Sequence, residues 1–295
     1  MELQIHEDSK LQNQIIFQDE KEIARLRIQN ELLAEYEAPG FERIFATRER
    51  INVLDIGCNN GTKTVDRFSS GAVSKVIGVE YNEEIASAAQ ERYGDERFSF
   101  FSADIESEGF EETLRGKMKE KGIASFDIIY MSFVLMHLRS PEVLLRKIRP
   151  YLKEDGRLVV IERRDEVSYL KPDEEGLLLR FLSMLQEDKY AGRCREGGQL
   201  LSMLKDCGYG NISVWSEGVC GTGEDIRKKE NIFSTYFSFF PEDLEILLQE
   251  EPDNEKYRLW KKWTDSFYPG LRQQILSKES EVFMGTTILE CAREA

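Results

Sequence analysis

Val53-Leu54-Asp55-Ile56-Gly57-Cys58-Asn59-Asn60-Gly61-Thr62 carries the reading of the fold. An apolar run makes a short buried strand, and the strand ends in a turn of small residues that opens a helix-like segment. Gly57 and Gly61 let the backbone approach a ligand and adopt positive φ. Asn59 stands between them, and asparagine tolerates the left-handed region better than most residues. In an open parallel sheet, ligands bind beyond the carboxyl ends of the strands, which is where this turn falls.

Outward from the turn, short apolar runs alternate with helical segments. Lys75-Val76-Ile77-Gly78-Val79-Glu80, Phe98-Ser99-Phe100-Phe101, Phe126-Asp127-Ile128-Ile129-Tyr130-Met131 and Gly156-Arg157-Leu158-Val159-Val160-Ile161-Glu162 read as four more strands. The stretches 63–70, 82–93, 109–121 and 141–152 read as helices. This alternation means βαβ units and a mostly parallel sheet covered on both faces. Beyond Glu162, helices are expected over 173–190 and 196–206. A sixth strand is expected over 211–216, an aromatic-rich helical stretch over 223–280, and a last strand over 281–291. Upstream, 9–36 carries apolar residues at three- and four-residue steps among others, which predicts one or two amphipathic helices. Pro39-Gly40 reads as a break, with a shorter helix over 41–48. The resulting organisation is an N-terminal helical cap (1–48), an α/β core (49–222 and 281–295), and a helical insertion between the last two strands (223–280) that forms part of a substrate lid.

Glu80 ends the second strand, 19 positions past Gly61. A carboxylate there can accept hydrogen bonds from ribose hydroxyls. A dinucleotide fingerprint would need G-x-G-x-x-G, and a phosphate loop G-x-x-x-x-G-K-[S/T]; neither is present. Asp55, close to the turn, suits a ligand with a positive amino group and no phosphates, such as the methionine moiety of S-adenosyl-L-methionine (SAM).

Asp55-x-Gly57-x-Asn59-x-Gly61 resembles the first motif of class I SAM-dependent methyltransferases, D/E-x-G-x-G-x-G, with Asn59 in the place of the middle glycine. Glu80 matches the family's ribose-binding acid. Ser102-Ala103-Asp104-Ile105 resembles the segment whose acid meets the adenine amino group. Val134-Leu135-Met136-His137-Leu138 and Leu152-Lys153-Glu154-Asp155-Gly156-Arg157-Leu158 resemble stretches of small-molecule methyltransferases, and Arg25–Leu33 is similar to the lead-in helix of the ubiquinone/menaquinone type. The resemblance spans about 50–165. It implies a Rossmann-like sheet of seven strands in the order 3-2-1-4-5-7-6, with the last strand antiparallel and helices on both faces. It also implies SAM as cofactor, with S-adenosyl-L-homocysteine as product. Cofactor contacts are then expected from Asp55, Gly57, Cys58, Asn59, Gly61, Glu80, Tyr81, Asp104, Ile105, Met131 and Ser132.

Methyl transfer needs a general base only when the acceptor carries a proton. His137 is the candidate base, with a pKa suited to the task; the competing reading packs it beside the cofactor without a catalytic role. Glu162, Arg163 and Arg164, ending the fifth strand, read as acceptor-binding groups or as surface ion pairs. Phe233, Tyr236, Phe237, Phe239 and Phe240, with Trp260, Trp263, Phe267 and Tyr268, suit an apolar acceptor pocket or simply the core of the helical layer.

The chain has 295 residues and a net charge of -15. That charge repels a phosphate backbone and argues against nucleic acid. Arg43, Arg48 and Arg50, and Arg227, Lys228 and Lys229, read as solvated faces. No Pro-Pro-Tyr or Pro-Cys signature follows the fourth strand. A small-molecule acceptor methylated on O, N or C is therefore expected; a basic peptide or protein, a tRNA, and a non-catalytic SAM-binding role stand as alternatives. Five cysteines without C-x-x-C spacing suit a reducing compartment, and two histidines leave little for a metal site. With no apolar run of about 18 residues and no signal-peptide pattern at 1–8, a cytoplasmic location is expected.

Overall fold

The computed structural model describes residues 20–189, 191–192 and 197–294. The helical expectation for 9–19 lies outside the described residues. The rest divides into two compact units, one from 34–163, 197–217 and 286–294, the other from 20–33, 164–192 and 218–285.

The first unit is the α/β unit. Strands β1 (Ile51–Ile56), β2 (Val73–Glu80), β3 (Phe98–Ser102), β4 (Phe126–Ser132) and β5 (Leu152–Arg163) pair in parallel in the order β3-β2-β1-β4-β5. Strand β8 (Glu281–Arg293) runs antiparallel to β5, Leu158 facing Cys291 and Glu162 facing Thr287. Strand β7 (Tyr209–Thr222) pairs with β8. This is the expected order, with the expected sixth and seventh strands as β7 and β8. A three-residue strand, β6 (Tyr169–Lys171), pairs antiparallel with Glu281–Phe283 in the second unit and escaped the sequence reading. Three residues carry too little alternation to register.

Helices α2 (Thr62–Arg67), α3 (Glu83–Tyr93), α4 (Phe110–Lys121) and α5 (Pro141–Ile148) follow β1 to β4. Leu54, Ile56, Ile77, Ile129, Met131 and Leu158 are buried in one cluster with Leu114, Leu135, Leu144 and Leu145. Each fully buried aliphatic side chain contributes about 1.5–3 kcal/mol, which is why β1 and β4 read as unbroken apolar runs. Helix α5 stops at Ile148, short of the expected 152. Pro150 lies in a 3-10 turn there, and Leu152 already starts β5. Helix α7 (Gly197–Asp206) also belongs to this unit.

Helix α1 (Glu20–Ala46) corrects the expected break at Pro39-Gly40: the helix runs straight through. Proline withholds one amide from the ladder, but packing outweighs that loss. Phe41, buried, meets Phe68, Tyr130 and Trp215 at centroid distances of 5.4, 5.8 and 5.3 Å. Gly40 is small for a contact and not for a turn, since a Cβ there would collide with the Trp215 indole.

The second unit is helical. Helices α6 (Leu177–Glu187), α8 (Ile226–Tyr236), α9 (Phe240–Glu250) and α10 (Glu255–Ile275) pack around aromatic rings. Phe181 meets Phe237 at 4.8 Å and Phe240 at 5.2 Å, Phe233 stacks on Phe237 at 5.4 Å, and Phe240 lies 6.2 Å from Trp260. These rings, buried on one another, are the core of the unit. The expected solvated face at Arg227-Lys228-Lys229 is corrected at Lys229. Its side chain is fully buried, and its ammonium donates to the carbonyls of Gly223, Ser277 and Ser280 at 2.9, 2.6 and 2.7 Å. Among the described residues, no helix is long and apolar enough to cross a membrane.

Candidate functional site

The parallel strands of the α/β unit end at one edge, where β1, β2, β3 and β4 deliver the loops that the sequence singled out. The loop after β1 has positive φ at Gly57 (74°), Asn59 (49°) and Gly61 (75°). This alternation winds the backbone tightly around the strand end. Asparagine supports the middle position with its side chain, whose Oδ1 accepts the Asn60 amide at 2.7 Å. The Gly57 and Cys58 amides donate to the Val79 carbonyl at 2.8 and 3.0 Å, tying the loop to β2. A Cβ on Gly57 would stand 2.6 Å from Val134, and one on Gly61 2.9 Å from Phe100. Both positions therefore require glycine for space as well as for φ.

Glu80 is built into this loop. One carboxylate oxygen accepts the Asn59 amide and the other the Asn82 amide, both at 3.0 Å. Burial pushes its pKa up, against those amide hydrogen bonds. Each oxygen keeps a lone pair for a further donor, which is what a ribose diol offers. Asn82 in turn caps α3, accepting the Glu84 and Ile85 amides at 2.9 and 3.1 Å. Tyr81, between them, is exposed. After β3, Asp104 accepts the Glu106 amide at 2.9 Å. Ile105 packs on the core.

Asp55 faces inward. It is buried and accepts the Thr64 hydroxyl at 2.6 Å. Burial pushes its carboxyl up to about 7, against the pull of Thr64 and Lys63. It pins the first turn of α2 to β1, and so fixes the path of the loop between them.

Around it lies a charge cluster that the sequence reading missed. Glu37, on α1, is completely buried. It accepts Arg67 Nε at 2.7 Å and the Tyr130 hydroxyl at 3.0 Å, and lies 3.1 Å from Lys63 Nζ. Burial opposes its charge, but Lys63 and Arg67 outweigh that and hold its pKa below the usual carboxylate value. Lys63 Nζ also donates to Ser132 Oγ, at the end of β4, at 2.8 Å. Lysine in an opening helical turn ordinarily points to water, and nothing in the spacing of Glu37 announces a partner. The one sequence signal was a lysine immediately behind a ligand loop.

After β4 the chain turns sharply. Phe133 takes φ 56° and its amide donates to the Ile161 carbonyl at 2.8 Å. Positive φ in a bulky residue stores strain, a feature that clusters at functional sites. His137 ends a 3-10 turn, Leu135–His137, that brings it half-buried to the same edge. Glu162 bonds to this turn. Buried, it accepts the Leu135 amide at 2.7 Å and pins the turn that carries His137. Arg164 makes an ion pair with Glu166 at 3.0 Å. Among the described residues no group of His, Cys, Asp and Glu is arranged to hold a metal ion.

The edge thus offers positive-φ loop backbone, a half-buried carboxylate beside it, and Ser132 at the end of β4, next to the fully buried Met131. This set fits a nucleoside joined to an amino acid: a diol acceptor is present and no phosphate cradle is. The family described as "Methyltransferase domain" matches residues 27–215. No curated protein sequence matches the chain. Among solved structures, YcgJ of Bacillus subtilis superposes with a TM-score of 0.50 at 18% identity, over 86% of this chain and 98% of that one. BH2331 of Bacillus halodurans C-125, solved as a candidate methyltransferase, gives 0.50 at 16%, over 87% and 97%. Phosphoethanolamine N-methyltransferase 2 of Haemonchus contortus, solved with SAM, gives 0.47 at 17%, over 84% and 50%. At these identities the likeness is one of fold.

Proposed function

The chain belongs to the methyltransferase-domain family and is a SAM-dependent methyltransferase, and from that premise we propose that it methylates an oxygen, nitrogen or carbon atom of a small-molecule acceptor. Bound SAM supplies a methyl group on a sulfonium, an activated leaving group. The protein's share of the work is then positioning and exclusion of water. Glu80 takes the ribose hydroxyls, the 57–61 loop backs the amino-acid moiety, and Asp104 with Ile105 marks the adenine end. Tyr81 covers the nucleoside from the solvent side. Met131 and Ser132, ending β4, border the reacting groups.

His137 is proposed as the base for an acceptor that carries a proton. Its 3-10 turn is anchored from two sides, by the Leu135 amide on Glu162 and by its own amide on the Val134 carbonyl at 3.0 Å. A histidine held on a fixed turn can meet an acceptor without reorganising. If this holds, His137→Gln leaves SAM binding intact and removes most of the turnover. Equal loss of both overturns the assignment.

The observation that carries the acceptor reading is the charge. At -15, the protein repels polyanions and leaves RNA a poor partner. The four described free cysteines, Cys58, Cys207, Cys220 and Cys291, favour a reducing compartment, and a cytosolic setting is part of the same proposal. The test is transfer from methyl-labelled SAM into a cell extract that is then separated into small molecules, protein and RNA. Label in the small-molecule fraction supports the reading. Label in protein or RNA replaces it with that acceptor class, and no label in any fraction returns the chain to a binding role.

A further inference from the structure

The methionine end of SAM is a zwitterion, and its carboxylate needs a cation. Asp55, Glu80, Asp104 and Glu162 make this edge of the sheet acidic. Lys63 brings a positive charge into it. It stands two residues past Gly61, its ammonium is 2.8 Å from Ser132 Oγ at the end of β4, and its side chain is 13% exposed.

The groups around it leave part of its hydrogen-bonding capacity open. Glu37 is one carboxylate set against two cations, Lys63 at 3.1 Å and Arg67 at 2.7 Å. Asp55, another acid close by, accepts the neutral Thr64 hydroxyl at 2.6 Å and attracts Lys63 at longer range. Arg67 and the Tyr130 hydroxyl satisfy Glu37 by themselves, through bonds of 2.7 and 3.0 Å. The ammonium of Lys63 is therefore not required to saturate the hydrogen bonds of Glu37. It has three donors, and Glu37 and Ser132 take two of them.

We propose that Lys63 binds the carboxylate of the cofactor's methionine moiety, with Ser132 and Glu37 holding the ammonium in place between β4 and α1. The proposal rests on the reading of this edge as a SAM site. Ser132 fixes the direction of the ammonium, and the ring of Tyr130, 5.4 Å from it, forms its floor. Burial lowers the pKa of Lys63 and Glu37 raises it again, so a ligand carboxylate would strengthen the charged form as Glu37 does.

Calorimetry with two ligands and two proteins tests this. SAM and decarboxylated SAM differ only in the carboxylate. The wild type is expected to bind SAM roughly tenfold more tightly or better, the worth of one charge-assisted hydrogen bond. In Lys63→Met the two ligands should bind within about twofold of each other, with decarboxylated SAM held as in the wild type; Lys63→Arg should recover part of the preference. A wild type that does not distinguish the ligands overturns the proposal without any variant. So does a Lys63→Met protein that keeps the wild-type ratio, or that loses both ligands equally while Lys63→Arg distinguishes them no better. A wild type that binds neither SAM nor S-adenosylhomocysteine removes the cofactor assignment itself, and that failure is separate from the others.

Discussion

Asp55 and Glu80 are both carboxylates at the ends of adjacent strands, and their surroundings give them different work. Glu80 receives two backbone amides on the loop side. Glu80→Ala should weaken SAM binding by roughly ten- to a hundredfold in a calorimetric titration, and unchanged affinity would overturn the ribose assignment. Asp55 is sealed in, with its pKa raised from 3.8 to about 7. It therefore takes up a proton on folding at any pH between those two values. Below about pH 4 its contribution to stability is complete, and it is lost as the pH rises through 7, by an amount on the order of 4 kcal/mol. Asp55→Asn keeps an acceptor for Thr64 and cannot ionise. Its melting temperature should gain on the wild type between pH 5.5 and pH 8.5; a constant difference would show that Asp55 stays charged in the fold. At this scale the sequence was legible where chemistry narrows the choice. Few residues besides glycine hold φ 49°, so Asn59 could be read as a turn residue. Lys63 and Glu37 could not, because their roles depend on partners 26 positions apart in the chain.

Elements were legible where burial repeats along the chain. β1, β2 and β4 are buried on both faces and their apolar runs show it, so their order and the loop after β1 followed from pattern. Element ends and long-range contacts were not. Pro39-Gly40 reads as a stop in any local window, yet Phe41 and Trp215, far apart in sequence, hold α1 intact across it. Restoring a side chain at this crossing has a clear cost. Gly40→Leu would press on the Trp215 ring, and overpacking of this kind costs about 1–3 kcal/mol; Pro39→Ala restores an amide and should be neutral or stabilising. Urea unfolding of both variants checks the pair. A destabilised Pro39→Ala would mean that the proline is required where it stands. Lys229 makes the same point in the helical unit. Its ammonium gathers carbonyls from residues 223, 277 and 280, and so ties the start of α8 to the turn after α10. Lys229→Met leaves those carbonyls buried without a donor and should cost about 2–3 kcal/mol or more. A stability change within 0.5 kcal/mol, the range of ordinary surface substitutions, would return Lys229 to a solvated face.

At the scale of the whole chain the governing quantity is charge. Acidic residues number 55 and basic residues 40. Several of the cations are drawn inward, Lys63 and Arg67 onto Glu37, and Lys229 onto backbone carbonyls. Carboxylates are drawn inward more often, Glu37, Asp55, Asp127, Glu162 and Asp243 among them, so the composition overstates the excess of surface carboxylates over surface cations without reversing it. Self-repulsion among those carboxylates opposes the compact state, and it weakens as the Debye length shrinks from about 30 Å at 0.01 M salt to about 10 Å at 0.1 M. The melting temperature should therefore rise between 10 and 300 mM sodium chloride, by a few degrees. The buried Glu37 cluster is shielded from that screening and adds no opposing trend. The control is Glu37→Gln with Lys63→Met, which removes one charge of each sign from the interior and should leave the salt slope unchanged even if the protein is less stable throughout. A melting temperature that falls with salt would mean that attractive surface ion pairs, such as Lys21–Glu242 and Lys261–Asp265, dominate over net repulsion. The surface would then be locally balanced, and the argument from charge against a nucleic-acid acceptor would lose its force.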